Sequence, residues 1–131
     1  MSRIVEFLKE AKVFHIATVD GGVPRVRPFG FVMDFEGKIC FTTGNKKDFY
    51  KQLQKNPNIE ISAMLPDDRW IRVQGKAVFG GGAAAKKRAF VLFEGFKNIY
   101  ETPDNPMFEV FYLDEPSATL YSFTSEPEKI L

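Results

Sequence analysis

The sequence is poor in the residues that build metal sites and catalytic triads, since it contains one cysteine, Cys40, and one histidine, His15. A single cysteine cannot form an intramolecular disulfide, which is typical of proteins in a reducing compartment, so we expect a cytoplasmic location. A zinc site needs several cysteine and histidine ligands, so we expect no metal site. His15 lies between Phe14 and Ile16 in an apolar segment, which favours a hydrogen-bonded core histidine over a catalyst.

Excess charge of one sign and long apolar runs are also missing. The 18 basic and 17 acidic residues leave a net charge of +1, so a broad nucleic-acid-binding surface is not indicated. No apolar run approaches the roughly 20 residues of a membrane-spanning helix. Charges are dispersed through residues 1–6, so we expect no secretory signal.

Phenylalanine, in contrast, is abundant, with 14 in a chain of 131 residues. This length predicts one domain, residues 1–131, and a chain of this size buries about two-thirds of its unfolded surface without disulfides. Because one histidine and one cysteine offer little acid–base or nucleophilic chemistry, an enzyme of this composition is expected to rely on a bound cofactor.

Turn signals and hydrophobic periodicity divide the chain into short strands and three helices. Helices are predicted over residues 2–12, 46–55 and 83–94. Strands are predicted over residues 13–19, 25–33, 38–43, 59–64, 70–79, 107–113 and 118–123, and a flexible joint over residues 80–82. Hairpin turns between strands favour a mainly β fold with flanking helices, arranged as a small antiparallel barrel. A barrel of this size is filled by its own side chains, so a ligand is expected outside it or at a dimer seam.

The segment from Thr42 to Asp48 is a candidate phosphate site, because it leads from a strand into a helix. Asn45 is a favourable N-cap, which would place Lys46 and Lys47 in the first helical turn, where cations oppose the helix dipole. An anion bound by the free backbone N–H groups, by the hydroxyls of Thr42 and Thr43 and by both lysines would remove that conflict. The alternative is a solvated first turn with two surface lysines.

Two further features are candidate binding residues. Arg25 and Arg27 lie two apart in a strand, so they share a face, and Pro28 lacks the N–H that would continue the ladder. A guanidinium beside such a gap suits a phosphate, although a pair of surface arginines is the alternative. Trp70 lies on the polar side of its strand, where it would stack on a planar ligand, fill a protein interface or remain a partly exposed packing residue. Cys40, in the middle of a strand, is interpreted as a small buried hydrophobic residue.

The order and spacing of several short motifs resemble the pyridoxamine 5'-phosphate oxidase-like, FMN-binding split-barrel family. The resemblance covers residues 13–79 and extends more loosely to residue 123, and its nearest branch is the general-stress and nitroimidazole-resistance type. The motifs that carry it are Arg27, Thr43, the run Asn45-Lys46-Lys47, the pair Asn56-Pro57 and residues 69–77. The resemblance implies an antiparallel split barrel that forms a homodimer with two FMN molecules at the seam.

The resemblance also implies roles for individual residues. Arg27 and Lys47 match the family's phosphate contacts, Asn45 and Lys46 occupy the serine and arginine positions of its Ser-Arg-Lys motif, and Thr43 ends the preceding strand. Trp70 matches a position that reaches the isoalloxazine ring from the partner subunit, and backbone N–H groups near Phe29 are expected to face the ring. The candidate cofactor-binding residues are Arg25, Arg27, Pro28, Phe29, Thr42, Thr43, Asn45, Lys46, Lys47 and Trp70.

Departures from the family pattern shape the expected function. The stretch between Thr43 and Asn45 is short, and Lys46 replaces an arginine. We also expect the protein to lack the C-terminal extension that binds a pyridoxal substrate. We therefore expect an FMN-dependent oxidoreductase that exchanges electrons with a nicotinamide cofactor and an unidentified small molecule, and not pyridoxamine phosphate oxidation itself.

Two alternatives belong to other classes of protein. One is a non-catalytic carrier or sensor that binds flavin or another planar cofactor, such as haem or a deazaflavin. The other is a small barrel that binds single-stranded nucleic acid through Trp70 and basic residues, which the near-zero net charge disfavours.

Overall fold

The computed structural model describes residues 2–80 and 82–131, which form one sheet flanked by helices. The helices in these residues are α1 (Ser2–Ala11), α2 (Asp48–Lys55), α3 (Gly82–Leu92) and α4 (Gly95–Tyr100). The strands are β1 (Phe14–Asp20), β2 (Val23–Phe29), β3 (Met33–Phe35), β4 (Lys38–Gly44), β5 (Asn58–Met64), β6 (Trp70–Phe79), β7 (Phe108–Tyr121) and β8 (Glu128–Lys129). None of the helices in the described residues is long and apolar enough to cross a membrane.

All pairings in the sheet are antiparallel, and the strand order is β2-β1-β5-β6-β7-β4-β3, with β8 added to β7. The sheet curls around a core, and its end strands β2 and β3 are joined by residues 30–32 rather than by hydrogen bonds in the described chain. The fold is therefore the antiparallel split barrel expected from the sequence. The single strand predicted over residues 25–33 is wrong, because the chain leaves one end of the sheet at Phe29 and joins the other at Met33.

The core lies on the concave side of the sheet, where α1 and α2 pack. Side chains from α1, α2 and five strands form the larger buried cluster, and aromatic rings dominate it. Phe14, Phe41 and Phe111 are completely buried there, and Phe41 stacks on Phe111 with ring centroids 5.3 Å apart. A second cluster joins α3 and α4 to β3, β4 and β7.

Several predicted boundaries differ from the structure. The two strands predicted over residues 107–113 and 118–123 are one strand, β7, which bends where Glu115 has φ 51° and the register with β6 shifts between Gln74 and Lys76. The helix predicted from residue 46 begins at Asp48, and the short helix α4 was not predicted. The joint predicted at residues 80–82 includes Gly81, which lies outside the described residues.

The convex side of β1, β5 and β6 carries the side chains that point away from the core. His15 pairs with Ser62, and Ser62 pairs with Arg72, and all three side chains are exposed. We call this surface the outer face. The prediction that His15 belongs to the core is wrong, because the period of two in β1 turns Phe14 and Ile16 inward and His15 outward.

Candidate functional site

The guanidinium of Arg27 is the best-defined polar centre of the structure. One amino group, Nη1, donates to the carbonyl oxygen of Ile16 at 3.1 Å and to Thr18 Oγ1 at 2.8 Å. The other, Nη2, donates to Gln52 Oε1 at 2.7 Å. The guanidinium carbon also lies 4.8 Å from the ring centroid of Phe49, so Arg27 is fixed between β1 and α2.

The charge of Arg27 is not balanced by a nearby acid. All the partners of the guanidinium are neutral, and no carboxylate of the described residues forms an ion pair with it. The side chain is half-buried, and this burial lowers the pKa of Arg27 from its ordinary value. A partly desolvated cation without a counterion is stabilised by an anion, and a phosphate matches the donor geometry of a guanidinium.

Arg27 opens into a surface depression of about 500 Å³ between β2 and α2. The lining residues are Asp20, Arg25, Val26, Arg27, Asp48, Lys51, Gln52 and Lys55. Four of them are basic and two are acidic, so the depression has an excess of positive charge. Arg25 and Arg27 share this surface, as predicted from their spacing. We call it the β2–α2 depression.

The end of β4 places two threonines on opposite faces of the strand. Thr43 follows the same face as Phe41, its side chain is buried, and its hydroxyl has no hydrogen-bond partner in the described part of the chain. Thr42 is also buried, on the other face. A buried hydroxyl without a protein partner is uncommon in folded proteins. Thr43 is not among the residues that line the β2–α2 depression, so the unpaired charge of Arg27 is the feature there that fits a bound phosphorylated group.

The turn between β4 and α2 is built differently from the sequence prediction. The N-cap of α2 is Lys47, without a side-chain cap, and the first turn contains Asp48. The predicted N-cap role of Asn45 is wrong, because its amide donates to the carbonyl oxygen of Pro106 at 2.7 Å and to the carboxylate of Glu109 at 2.9 Å. Lys46 and Lys47 are exposed and precede the first helical turn in which the sequence predicted them. The charge of Lys47, at the N-cap, still lies beside the positive end of the helix dipole.

Lys47 nevertheless lies close to the end of β4. A Cβ atom built on Gly44 would lie 3.8 Å from Lys47 Cε and only 2.9 Å from the hydroxyl oxygen of Tyr100. Tyr100 is buried, and this burial raises the pKa of its hydroxyl. Gly44 therefore allows the strand end, the lysine and the tyrosine to approach one another.

Phe29 and Pro28 complete β2 beside Arg27. Phe29 is half-buried and packs on Phe49 with ring centroids 4.9 Å apart, on the α2 side of the strand. Pro28 is exposed and pairs with His15. The structure thus brings Arg25, Arg27 and Phe29 to α2, whereas Asn45 turns towards the start of β7.

Trp70 lies apart from these residues within one chain. It begins β6 at the outer face and stacks on Tyr121, with ring centroids 5.6 Å apart and an interplanar angle of 10°. Phe123, which is 77% exposed, lies against it at 4.9 Å. The sequence prediction of an aromatic on the polar side of the strand is confirmed, but its predicted contact with a cofactor requires a second chain.

Two other predictions concern reactive groups. Cys40 is buried as expected, and this burial, with the nearby charge of Asp34, raises the pKa of its thiol to about 11. In residues 2–80 and 82–131, no group of three His, Cys, Asp or Glu side chains is placed to hold a metal ion. No side chain in the β2–α2 depression is arranged as a nucleophile with its base.

Sequence reasoning missed the contribution of α2 and of Thr18 to this site. Asp48, Lys51, Gln52 and Lys55 have the spacing i, i+3, i+4 and i+7, which places them along one helical face. That polar stripe is readable in the sequence. Thr18 pairs with Arg25 and forms a hydrogen bond to Arg27 because of the register of β1 and β2. No local sequence motif predicts that register.

Comparison with known proteins gives one matching family and several solved structures with the same fold. The family model for pyridoxamine 5'-phosphate oxidase matches residues 1–114. A NimC/NimA family protein from Clostridium acetobutylicum has a solved structure with 40% sequence identity and a TM-score of 0.93, and the match covers 98% of this chain and 90% of that chain. No curated protein matches the chain.

Two more distant structures share the fold. A pyridoxamine 5'-phosphate oxidase-related, FMN-binding protein from Nostoc punctiforme has 18% identity and a TM-score of 0.67, with 99% of this chain and 96% of that chain covered. A haem-binding protein from Mycobacterium smegmatis has 16% identity and a TM-score of 0.72, with 93% of this chain and 56% of that chain covered.

Proposed function

The chain belongs to the pyridoxamine 5'-phosphate oxidase family, and from this membership we propose that it binds FMN and acts as a flavin-dependent oxidoreductase on a small molecule. The observation that carries the proposal is the half-buried guanidinium of Arg27, which has neutral partners and an opening to a basic depression. The FMN-binding relative from Nostoc punctiforme supports the same cofactor.

The residues of the chain have separate tasks in this proposal. Arg27 binds the phosphate, and Lys46 and Lys47 neutralise it from the turn before α2. Bound FMN would supply the electron transfer, which amino-acid side chains do not perform. Nicotinamide cofactors are the proposed electron donors, and the protein binds and orients rather than exchanging protons through a catalytic side chain.

We also propose a homodimer that completes the site. A stacked aromatic surface is formed by Trp70, Tyr121 and Phe123. The phosphate site proposed for the same chain does not account for this surface. The outer face, with Ser62 and Arg72, is exposed in one chain and provides the surface on which a second copy would pack. In this proposal, Trp70 of one chain reaches the cofactor of the other across the interface.

The first test compares the affinity for FMN with that for riboflavin, which lacks the phosphate. Replacing Arg27 and Lys47 together by alanine should weaken FMN binding roughly 10²- to 10⁴-fold, because each charge-assisted hydrogen bond contributes about 1.5–3 kcal/mol. Riboflavin affinity should change little. Fluorescence titration measures both constants, and circular dichroism checks the fold.

A double variant at Lys87 and Arg88, which are exposed on α3, removes the same two charges elsewhere and should bind FMN normally. Equal FMN affinity in the wild type and in the variant at Arg27 and Lys47 would contradict the assignment of the phosphate site.

A second candidate function is a non-catalytic binder of flavin, haem or a deazaflavin. The haem-binding relative from Mycobacterium smegmatis supports this candidate, and the exposed His15 is the one histidine that would serve as an axial ligand. The visible spectrum of the purified protein distinguishes flavin from haem. Turnover of the flavin-loaded protein with NADH or NADPH and an artificial acceptor then favours the oxidoreductase, and its absence favours the carrier or sensor.

A further inference from the structure

Gln52 is the residue that links Arg27 to the β2–α2 depression. Its side-chain oxygen, Oε1, accepts a hydrogen bond from Arg27 Nη2 at 2.7 Å and a second from the hydroxyl of Thr18. The Thr18 hydroxyl in turn accepts from Arg27 Nη1 at 2.8 Å. The three side chains therefore form a closed ring of hydrogen bonds that fixes the guanidinium.

This ring determines the orientation of the Gln52 amide. If the amide were reversed, its NH₂ group would face the NH₂ group of Arg27, and two donors would meet. With Oε1 held on the Arg27 side, the nitrogen Nε2 and its two N–H donors point away from Arg27. Gln52 lines the β2–α2 depression, so these donors are available to a group bound there.

The surroundings of Nε2 favour an anion. Lys51 and Lys55 extend from the same helix into the depression, and Arg25 extends from β2. Asp20 lies 3.4 Å from Arg25 and partly balances it, and Asp48 is the second acid. The lysines have no ion-pair partner within 4 Å in the described residues, so the depression keeps its positive charge.

We propose that Gln52 is a phosphate-binding residue with two roles, in which Oε1 positions the guanidinium of Arg27 and Nε2 donates to a phosphate group bound in the β2–α2 depression. The inference rests on the proposed function, because it assigns the phosphate of FMN to this depression. Lys51 and Lys55 supply long-range attraction, whereas Gln52 and Arg27 supply directed hydrogen bonds.

Replacing Gln52 by glutamate separates the two roles. The carboxylate keeps an oxygen acceptor for Arg27 and Thr18 but adds a negative charge beside the guanidinium. A purely structural role therefore predicts only the loss of FMN affinity that one unit of charge causes, which Lys51→Gln in the same depression measures. If Nε2 donates to the phosphate, Gln52→Glu also removes the donors, and FMN affinity should fall about 10-fold or more below that of the Lys51→Gln protein. Riboflavin affinity should stay the same, and circular dichroism checks the fold. Gln54→Glu, on the exposed side of α2, is the matched control and should change neither affinity.

An FMN affinity of folded Gln52→Glu protein no lower than that of the Lys51→Gln protein would overturn the inference. A second measurement on the unmodified protein covers the case in which the variant does not fold: the ¹⁵N resonance of the Gln52 side-chain amide should shift when inorganic phosphate is added, and no shift would also overturn it. A wild-type protein that binds FMN no better than riboflavin would contradict the proposed function instead, and the phosphate titration would still decide the role of Gln52.

Discussion

At the residue scale, Arg27 keeps its positive charge at a position where burial removes part of its hydration. Burial lowers its pKa, which means that the charged form is less stable there than in water. Three neutral groups and an aromatic ring reduce that cost but do not provide a counterion. Residues held in this way are typical of binding sites, because the missing interaction is completed by the ligand.

Cys40 gives a prediction at the same scale. Burial, with Asp34 nearby, raises the pKa of its thiol to about 11. At pH 8, therefore, only about 10⁻³ of the Cys40 side chains are in the reactive thiolate form. A free cysteine at that pH is about one-quarter thiolate, so alkylation of folded protein by iodoacetamide should be slower by at least about two orders of magnitude. The measurement is the mass shift over time, with the protein unfolded in urea as the control. Rapid labelling of the folded protein would show that the thiol is accessible.

At the element scale, the end of β4 is tightly constrained by its contacts with the helix that precedes β7. The hydroxyl of Tyr100, in α4, lies 2.9 Å from the position of a Cβ atom on Gly44, and the carbonyl oxygen of Met107 lies at 3.8 Å. The Asn45 amide ties the next residue to Pro106 and Glu109. The turn that carries Lys46 and Lys47 is therefore positioned by α4 and β7 rather than by a helix cap.

Gly44→Ala should destabilise the protein by about 1–3 kcal/mol, because the added methyl group overlaps the Tyr100 hydroxyl in a packed region. Tyr100→Phe removes that oxygen, so the double variant should regain most of the lost stability. Urea unfolding of both single variants and of the double variant measures the coupling. Additive effects of the two substitutions would indicate that the contact does not limit the packing at Gly44.

At the scale of the whole molecule, helices and buried side chains cover both faces of β4 and β7, whereas β1, β5 and β6 have one packed face and one exposed face. The outer face contains a hydrogen-bonded set in which Glu60 accepts from Arg72 at 2.9 Å and from Gln74 at 2.8 Å. Burial opposes ionisation of Glu60, but these hydrogen bonds outweigh it and lower the pKa of its carboxyl. A polar, internally paired face of this kind is compatible with a homodimer interface, which is usually part apolar and part polar.

If two outer faces form the proposed dimer, a charge introduced on that face should weaken the dimer. Ser62 lies on the outer face between His15 and Arg72, and Ser62→Asp would bury a charge if two such faces pack together. Light scattering should give about twice the 14.9 kDa chain mass for the wild type and a shift towards the monomer for the variant. Ser125→Asp makes the same change in the exposed segment after β7 and should remain dimeric. A wild-type monomer would remove the dimer from the proposal.

Features that depend on neighbours along the chain could be predicted from the sequence. Alternating residues predicted β5 and β6, including the inward Ile71 and the outward Trp70, and the hydrophobic setting of Cys40 predicted its burial. The arginine pair on one face of β2 followed from the same period of two. The order of short motifs was enough to identify the family and the split barrel.

Features that depend on strand pairing could be read only from the folded structure. The break between Phe29 and Met33 arises because β2 and β3 occupy opposite ends of the sheet, and β7 is continuous because both halves pair with β6. Asn45 bonds to the start of β7, which no local cap pattern predicts. The ring of Arg27, Thr18 and Gln52 joins residues from three elements, so its existence depends on long-range packing rather than on sequence proximity.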